Sequence, residues 1–297
     1  MSRPFRIYYN IVFGGFGGLA AYLVAGTLPD LTQNNFVWEL LIGLLAGAGI
    51  GGALGAVDGA LGKRWAPMLL GIARGAAIGA IGGVVGLAIG EGLFLLTQGG
   101  FVGRAIGWGL LGAIVGTSEG IATRAPRKIS YGVVGGALGG IVGGALFEGL
   151  TQFALNNTAD SLQAQNLAAG IGLVLVGACI GSLIALVEIV FVNAYFKVMR
   201  GKQEGKDFNL VKSPMTIGRT DGNDIPLYDN EVEPRGAAVV HLIGNAVQIE
   251  SKNGRAVLLG RSREQQSKPI DGRETLEDGD RVQLGKTVLL LRKRGKR

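Results

Sequence analysis

A single cysteine, Cys179, in 297 residues excludes an intramolecular disulfide and any multi-cysteine metal site. Histidine is as scarce: His241 is the only one, and no nucleophile–base pair or metal-ligand constellation accompanies it. On these grounds the chain is not expected to be an enzyme, and no cofactor or metal is expected. Charged residues make up only 17% of the chain against 48% hydrophobic ones, which excludes a soluble protein for most of its length. Prolines number eight, and the 53 glycines follow no Gly-X-Y triplet, so collagen is excluded. The glycines alternate with Leu, Ile, Val and Ala, so a disordered linker is excluded as well.

The glycines and the charges divide unequally. Gly201 and the residues after it hold 12 glycines, leaving 41 in the first 200 residues. Before Gly201 there are 11 Lys/Arg and 8 Asp/Glu; from Gly201 onward there are 18 and 14. The pattern predicts an α-helical transmembrane region over 1–200 and an all-β domain over 201–297, with a boundary near Arg200. The net charge of +7 gathers beside membrane ends and in the tail Arg292–Arg297, which reads as a solvated or lipid-facing feature rather than a nucleic-acid site.

Six apolar stretches reach the roughly 20 residues that a helix needs to cross the hydrocarbon core. They fall at about 8–28, 37–60, 68–96, 103–122, 130–153 and 166–192. Arg3 and Arg6, Lys63 and Arg64, Arg124 to Lys128, and Lys197 to Lys202 mark alternate connections, whereas Asp30, Glu39 and Asp160 mark the others. The positive-inside rule then places both termini in the cytoplasm, in a cell (inner) membrane. The basic, apolar start with small residues at Ala25-Gly26 is read as a retained anchor rather than a cleaved leader.

A repeat runs through these spans. Leu31-Thr32-Gln33, Leu96-Thr97-Gln98 and Leu150-Thr151-Gln152 occupy the expected outer connections. Gly51-x3-Gly55-x2-Asp58-Gly59 returns as Gly112-x3-Gly116-x2-Glu119-Gly120. The motif ending at Glu91-Gly92 returns ending at Glu148-Gly149. Together these predict a two-helix hairpin repeated three times, with the third copy diverged. Gly43, Gly47, Gly51, Gly55 and Gly59 share one face, as do Gly132, Gly136, Gly140 and Gly144, and such stripes let backbones approach closely. A compact bundle is the expected result, with a homo-oligomeric ring or pore as the alternative.

Asp58, Arg74, Glu91, Arg104, Glu119, Glu148 and Glu188 are ionisable groups inside or at the ends of spans. Such groups are costly in lipid and are functional candidates by default. Here they lie toward both ends with none in the middle, which favours structural pairing, for example Glu91 with Arg104, over a transport path.

From about Asp207 short strand-like runs alternate with turn pairs such as Asp221-Gly222 and Gly244-Asn245, a pattern for a β-sandwich. Five ordered motifs carry a resemblance: Ile217-Gly218-Arg219, Asn223-Asp224-Ile225-Pro226-Leu227, Val232 to Ala237, Ser251-Lys252-Asn253-Gly254, and Leu276 to Gly285. They resemble the forkhead-associated (FHA) domain. The resemblance implies an eleven-stranded sandwich whose loops bind phosphothreonine peptides, with Arg219, Asn223, Arg235, Ser251 and Asn253 as the phosphopeptide-binding set. Arg219 matches the phosphate-contacting position and Asn253 the one that holds peptide backbone. Two departures stand out: Glu233 stands where the family has a serine, and Gly236 where it has the histidine that braces the loop. Where the family has Ser-x-x-His-Ala, this chain has Glu233-Pro234-Arg235-Gly236-Ala237, so a hydroxyl donor is replaced by a carboxylate that repels phosphate. The expected function is a multi-pass membrane protein that recruits a protein partner, either through phosphothreonine or through a degenerate docking surface. Membrane lipids are the other expected contact, nucleic acid is not, and a gated channel or transporter and an oligomeric scaffold are the rival readings.

Overall fold

A computed structural model describes residues 3–28, 35–62, 65–96, 101–157, 161–252, 256–259 and 267–293. Six helices come first: α1 (Arg3–Thr27), α2 (Asn35–Leu61), α3 (Trp65–Leu96), α4 (Phe101–Thr123), α5 (Pro126–Asn157) and α6 (Ser161–Phe191). Each contains a span long and apolar enough to cross a membrane. Backbone groups have no water to bond in lipid, so helices form here despite glycine's low intrinsic propensity.

Glycine sets how the helices meet. A Cβ built on Gly43 of α2 would lie 2.6 Å from the carbonyl oxygen of Gly83 in α3, and one on Gly83 would overlap that of Gly43. The same reciprocal exclusion joins Gly47 with Gly79, Gly51 with Gly75, and Gly55 with Gly71. It joins α4 to α5 through Gly112 with Gly136 and Gly116 with Gly132, and α6 to α1 through Gly177 with Gly14. At these places any side chain would sit in the neighbouring backbone, so only glycine fits. Most of these contacts fall between the second helix of one expected hairpin and the first helix of the next; α6 returns onto α1, and Gly17 of α1 meets Gly49 of α2 in the same way within the first hairpin.

Two expectations about the connections shift. Leu150-Thr151-Gln152 lies inside α5, not in an outer connection, and Thr151 Oγ1 donates to the Phe147 carbonyl oxygen one turn back, at 3.0 Å. Leu31-Thr32-Gln33 lies outside the described residues.

The interior of the bundle is apolar. Ala46 and Ile50 of α2, Leu111 and Val115 of α4, and Val176 and Ile180 of α6 belong to one buried cluster, and Ile50, Leu111, Val176 and Ile180 are fully buried. Large apolar side chains such as Phe16, Ile81, Phe153 and Ile171 point outward instead. Small residues at helix contacts with leucines and phenylalanines outside is the arrangement expected where the surroundings are lipid.

The described residues from Ala194 onward form a two-sheet sandwich of eleven strands: β1 (Ala194–Arg200), β2 (Asp207–Asn209), β3 (Met215–Gly218), β4 (Ile225–Pro226), β5 (Ala238–Ile243), β6 (Ala246–Ser251), β7 (Ala256–Leu259), β8 (Lys268–Pro269), β9 (Gly272–Leu276), β10 (Arg281–Leu284) and β11 (Thr287–Lys293). One sheet runs β2-β1-β11-β10-β7-β8 and the other β4-β3-β5-β6-β9. Phe196, Ile217, Ile225, Val240, Ile249, Leu276, Val282 and Leu289 fill the space between them. The β-domain begins earlier than the expected boundary at 200/201. Ala194, Phe196 and Val198 alternate inward along β1, which pairs antiparallel with β11 from Ala194↔Lys293 onward. The chain accordingly divides into compact units at Ile189/Val190.

Candidate functional site

Asn223 ties the β3–β4 loop to the segment before β5. Its Nδ2 donates to the carbonyl oxygens of Thr220 at 2.9 Å and Pro234 at 2.8 Å, and its Oδ1 accepts from the Gly236 N–H at 3.0 Å. Thr220 adds a bond from Oγ1 to the Pro234 carbonyl oxygen at 2.7 Å. The segment Glu233–Gly236 is thus fastened to the β3–β4 loop without the histidine that the FHA family uses. Gly236 has φ of +61°, a conformation that suits glycine and would strain the missing histidine.

Arg219 leaves the end of β3 half-buried. Its backbone N–H donates to the Glu233 carbonyl oxygen at 2.8 Å, and its Nη1 reaches the Asn230 carbonyl oxygen at 3.4 Å. The loop bearing Asn230 is itself anchored by Asp229. That buried carboxylate accepts from the Glu231 N–H at 3.0 Å, the Lys286 N–H at 2.8 Å and the Thr287 hydroxyl at 3.0 Å. Burial pushes the Asp229 carboxyl up, but those hydrogen bonds and the Lys286 charge outweigh it and hold the carboxyl below the usual aspartate range. The guanidinium of Arg219 is therefore supported by an ionised, hydrogen-bonded pedestal.

The other residues of the expected set separate by role. Asn223 and Ser251 are both buried, with their side chains bonded to backbone. Asn223 spends both ends of its amide on the loops, and Ser251 Oγ accepts from the Ala256 N–H at 3.3 Å. Both position loops. Arg235 is exposed, whereas Asn253 lies outside the described residues. Sequence reasoning overlooked Lys252, whose Nζ stands 3.7 Å from where a Cβ on Gly236 would be. Its signal was present, as the basic residue inside Ser251-Lys252-Asn253-Gly254. His241 lies on β5 with Nε2 3.2 Å from Glu250 Oε2, an ordinary strand-face pair.

The intramembrane charges gather in two groups. Arg6 lies 3.1 Å from Glu188 and 3.6 Å from Asp58, and Lys128 lies 3.7 Å from Asp58. At the other end Arg104 pairs with Glu148 at 3.0 Å, not with Glu91 as expected. Arg104 faces α5 here, and its guanidinium also stands 4.4 Å from the Phe94 ring centroid. Arg74 is exposed, and the Glu119 side chain lies outside the described set. Arg6 and Lys128, which had been read only as topology signals, are the counter-ions. Removing the buried Glu188 carboxylate takes from Arg6 the nearer of these two carboxylates, at 3.1 Å against 3.6 Å for Asp58. Glu188→Ala is expected to destabilise the bundle by about 3 kcal/mol, measured by SDS unfolding in detergent.

Residues 197–295 match the family model described as inner membrane component of T3SS, cytoplasmic domain, which is about one third of the chain. Among solved structures, the FHA domain of CT664 from Chlamydia trachomatis is 25% identical over 35% of this chain and 99% of its own, with a TM-score of 0.30. An FHA domain of an Arabidopsis thaliana hypothetical protein is 22% identical over 36% and 91%, TM-score 0.30. The FHA domain of human APLF, solved with an XRCC1 bisphospho peptide, is 20% identical over 34% and 99%, TM-score 0.28. A comparison with curated proteins found no match. The family match, together with the five FHA motifs of the sequence and a two-sheet sandwich of eleven strands among the described residues, identifies the C-terminal domain as FHA-type, carried by a multi-span membrane protein.

Proposed function

We propose that this protein holds its FHA-type domain at the cytoplasmic face of an inner membrane and docks a protein partner there through a phosphothreonine-bearing segment. Anchoring and recruitment, rather than catalysis, are its work. The observation that carries the reading is the posture of Arg219, locked by backbone bonds to the Glu233 loop and supported on the Asn230 carbonyl. A planar fork of donors suits a phosphate. Exposed Arg235 and Lys252 supply further positive charge, Lys252 with its Nζ beside Gly236. The family description places relatives of this domain in a membrane-bound assembly, which favours a partner that is itself part of such an assembly. The fully buried Ile50, Leu111, Val176 and Ile180 in the bundle interior support an anchor over a conduit. Glycine-packed contacts and the helix repeat serve that anchor.

The test is phosphopeptide binding by the full chain in lipid nanodiscs, followed by fluorescence anisotropy with matched phosphorylated and unphosphorylated peptides. Arg219→Ala is expected to weaken phosphopeptide binding at least about tenfold, the loss of one charge-assisted pair. Glu233→Ser removes a repulsive charge and restores a donor, and is expected to tighten it by a similar factor. Equal affinity for the two peptide forms would replace this reading with phosphate-independent docking.

A further inference from the structure

Arg74 is a charge on the outward face of the bundle. It stands in the first third of α3, the least buried of the six spans. Leu70, one turn before it, and Ile81, two turns after it, are 55% and 63% exposed, and Ala73 and Ala77 beside it are exposed too. Ionisable groups within spans ordinarily face the interior and pair there. Arg6 does so, 3.1 Å from Glu188. Arg74 does not: among the described residues no ion pair or hydrogen bond engages its guanidinium.

The depth of Arg74 follows from how α3 meets α4. Gly82 packs on Ile114, and Gly86 on Gly107 and Leu111, so the two helices run antiparallel. About 12 Å back along α3 from Gly82, and the same distance forward along α4 from Ile114, Arg74 comes level with Ala122 in the last turn of α4. There the chain reverses: α4 ends at Thr123, α5 begins at Pro126, and Arg124 between them has φ of +50°. Arg124 and Arg127 are exposed, and among the described residues no carboxylate pairs with either. A polar turn joining two spans belongs at the headgroups, and an arginine stem lets Arg74 reach that level from an apolar face.

A carboxylate of a second copy is a poor counter-ion. Among the described residues of the spans, the exposed carboxylate is Asp58, and Arg6 and Lys128 already hold it. Phosphate is what a bilayer offers at this depth, and the planar fork of an arginine fits its oxygens two at a time. The outward stripe of Leu70, Ala77 and Ile81 suits an acyl chain. A zwitterionic headgroup would bring a further positive charge to three uncompensated arginines, so an anionic one is favoured.

We propose that Arg74, with Arg124 as a second charge, holds the phosphate of an anionic phospholipid whose acyl chain lies along the outward face of α3. The site lies within the bundle and does not rest on the reading of the FHA-type domain.

The test is native mass spectrometry of the full chain in detergent, titrated with dioleoyl phosphatidylglycerol, with the phosphatidylcholine of the same chains, and with inorganic phosphate. Saturable retention of phosphatidylglycerol, at least about tenfold tighter than of phosphatidylcholine, is expected, with that preference lost in Arg74→Gln. Arg281→Gln, which removes the same charge from exposed β10, is expected to change nothing. Equal retention of the two lipids, or a preference untouched by Arg74→Gln, overturns the proposal. Displacement of the lipid by equimolar inorganic phosphate overturns it in favour of a free-anion site, and an Arg74-dependent dimer without bound lipid in favour of a contact between copies. Should Arg74→Gln fail to fold, an unchanged preference in Arg124→Gln overturns it on its own.

Discussion

Gly47→Val is expected to destabilise the membrane bundle by more than about 3 kcal/mol, while Gly149→Ala leaves it unchanged or makes it more stable. Gly47 has no room for a Cβ, because the carbonyl group of Gly79 occupies that volume, and Gly79 meets Gly47 in the same way. The obstruction is backbone, which cannot rotate aside as a side chain can. Two helices must separate along a whole stripe, since Gly43, Gly51 and Gly55 are in the same register against Gly83, Gly75 and Gly71. In lipid no hydrophobic force restores the lost contact, so close dispersion packing is what is forfeited. Gly149 has nothing within 4 Å of a Cβ, and an alanine there gains about 1 kcal/mol of helix propensity. Both variants are compared by SDS-induced unfolding in detergent. Equal stability of the two would mean that the stripe is not a packing surface.

Asp229→Ala is expected to cost the FHA-type domain about 2–4 kcal/mol near neutral pH. Its carboxylate serves three donors, the N–H groups of Glu231 and Lys286 and the hydroxyl of Thr287, and truncation leaves them without their acceptor. The loss depends on pH in a defined direction. Because the native carboxyl is held below its ordinary value, its stabilisation is fully present above the unfolded-state value of about 3.9 and fades as pH falls through the lower native value. Wild type should thus lose stability on acidification more steeply than Asp229→Ala, and the two unfolding curves converge toward low pH. Parallel curves would show that Asp229 is not the titrating anchor. The same variant also lowers phosphopeptide affinity if the Asn230 carbonyl fixes the Arg219 guanidinium.

Much of this arrangement was legible in the chain because membranes and sandwiches both impose strong local patterns. The six helices follow from run length alone, and strands β7 and β10 begin and end where alternation and turn residues predict. Strand β1 escaped notice because Ala194-Tyr195-Phe196 follows directly on an apolar helix, and the two patterns merge at the junction. Strand β9, Gly272–Leu276, is mostly polar and exposed, and it forms because β6 offers it an edge. Asn223 and Ser251 look like ligand contacts in a motif, since sequence does not tell whether a polar side chain faces solvent or its own backbone. In the structure both are buried and bonded to loop backbone.

By itself the sequence determined the six apolar spans, the glycine stripes, the β-domain with its FHA motifs, and the loss of a donor at Glu233. These are properties of spacing and residue type, which the linear chain carries in full. Only the tertiary structure decided which stripes meet, that Arg104 pairs with Glu148, and that Glu39 and Glu91 line one cavity. Those outcomes depend on helix rotation and register, where one turn of about 5.4 Å changes every partner and leaves the pattern of the sequence untouched.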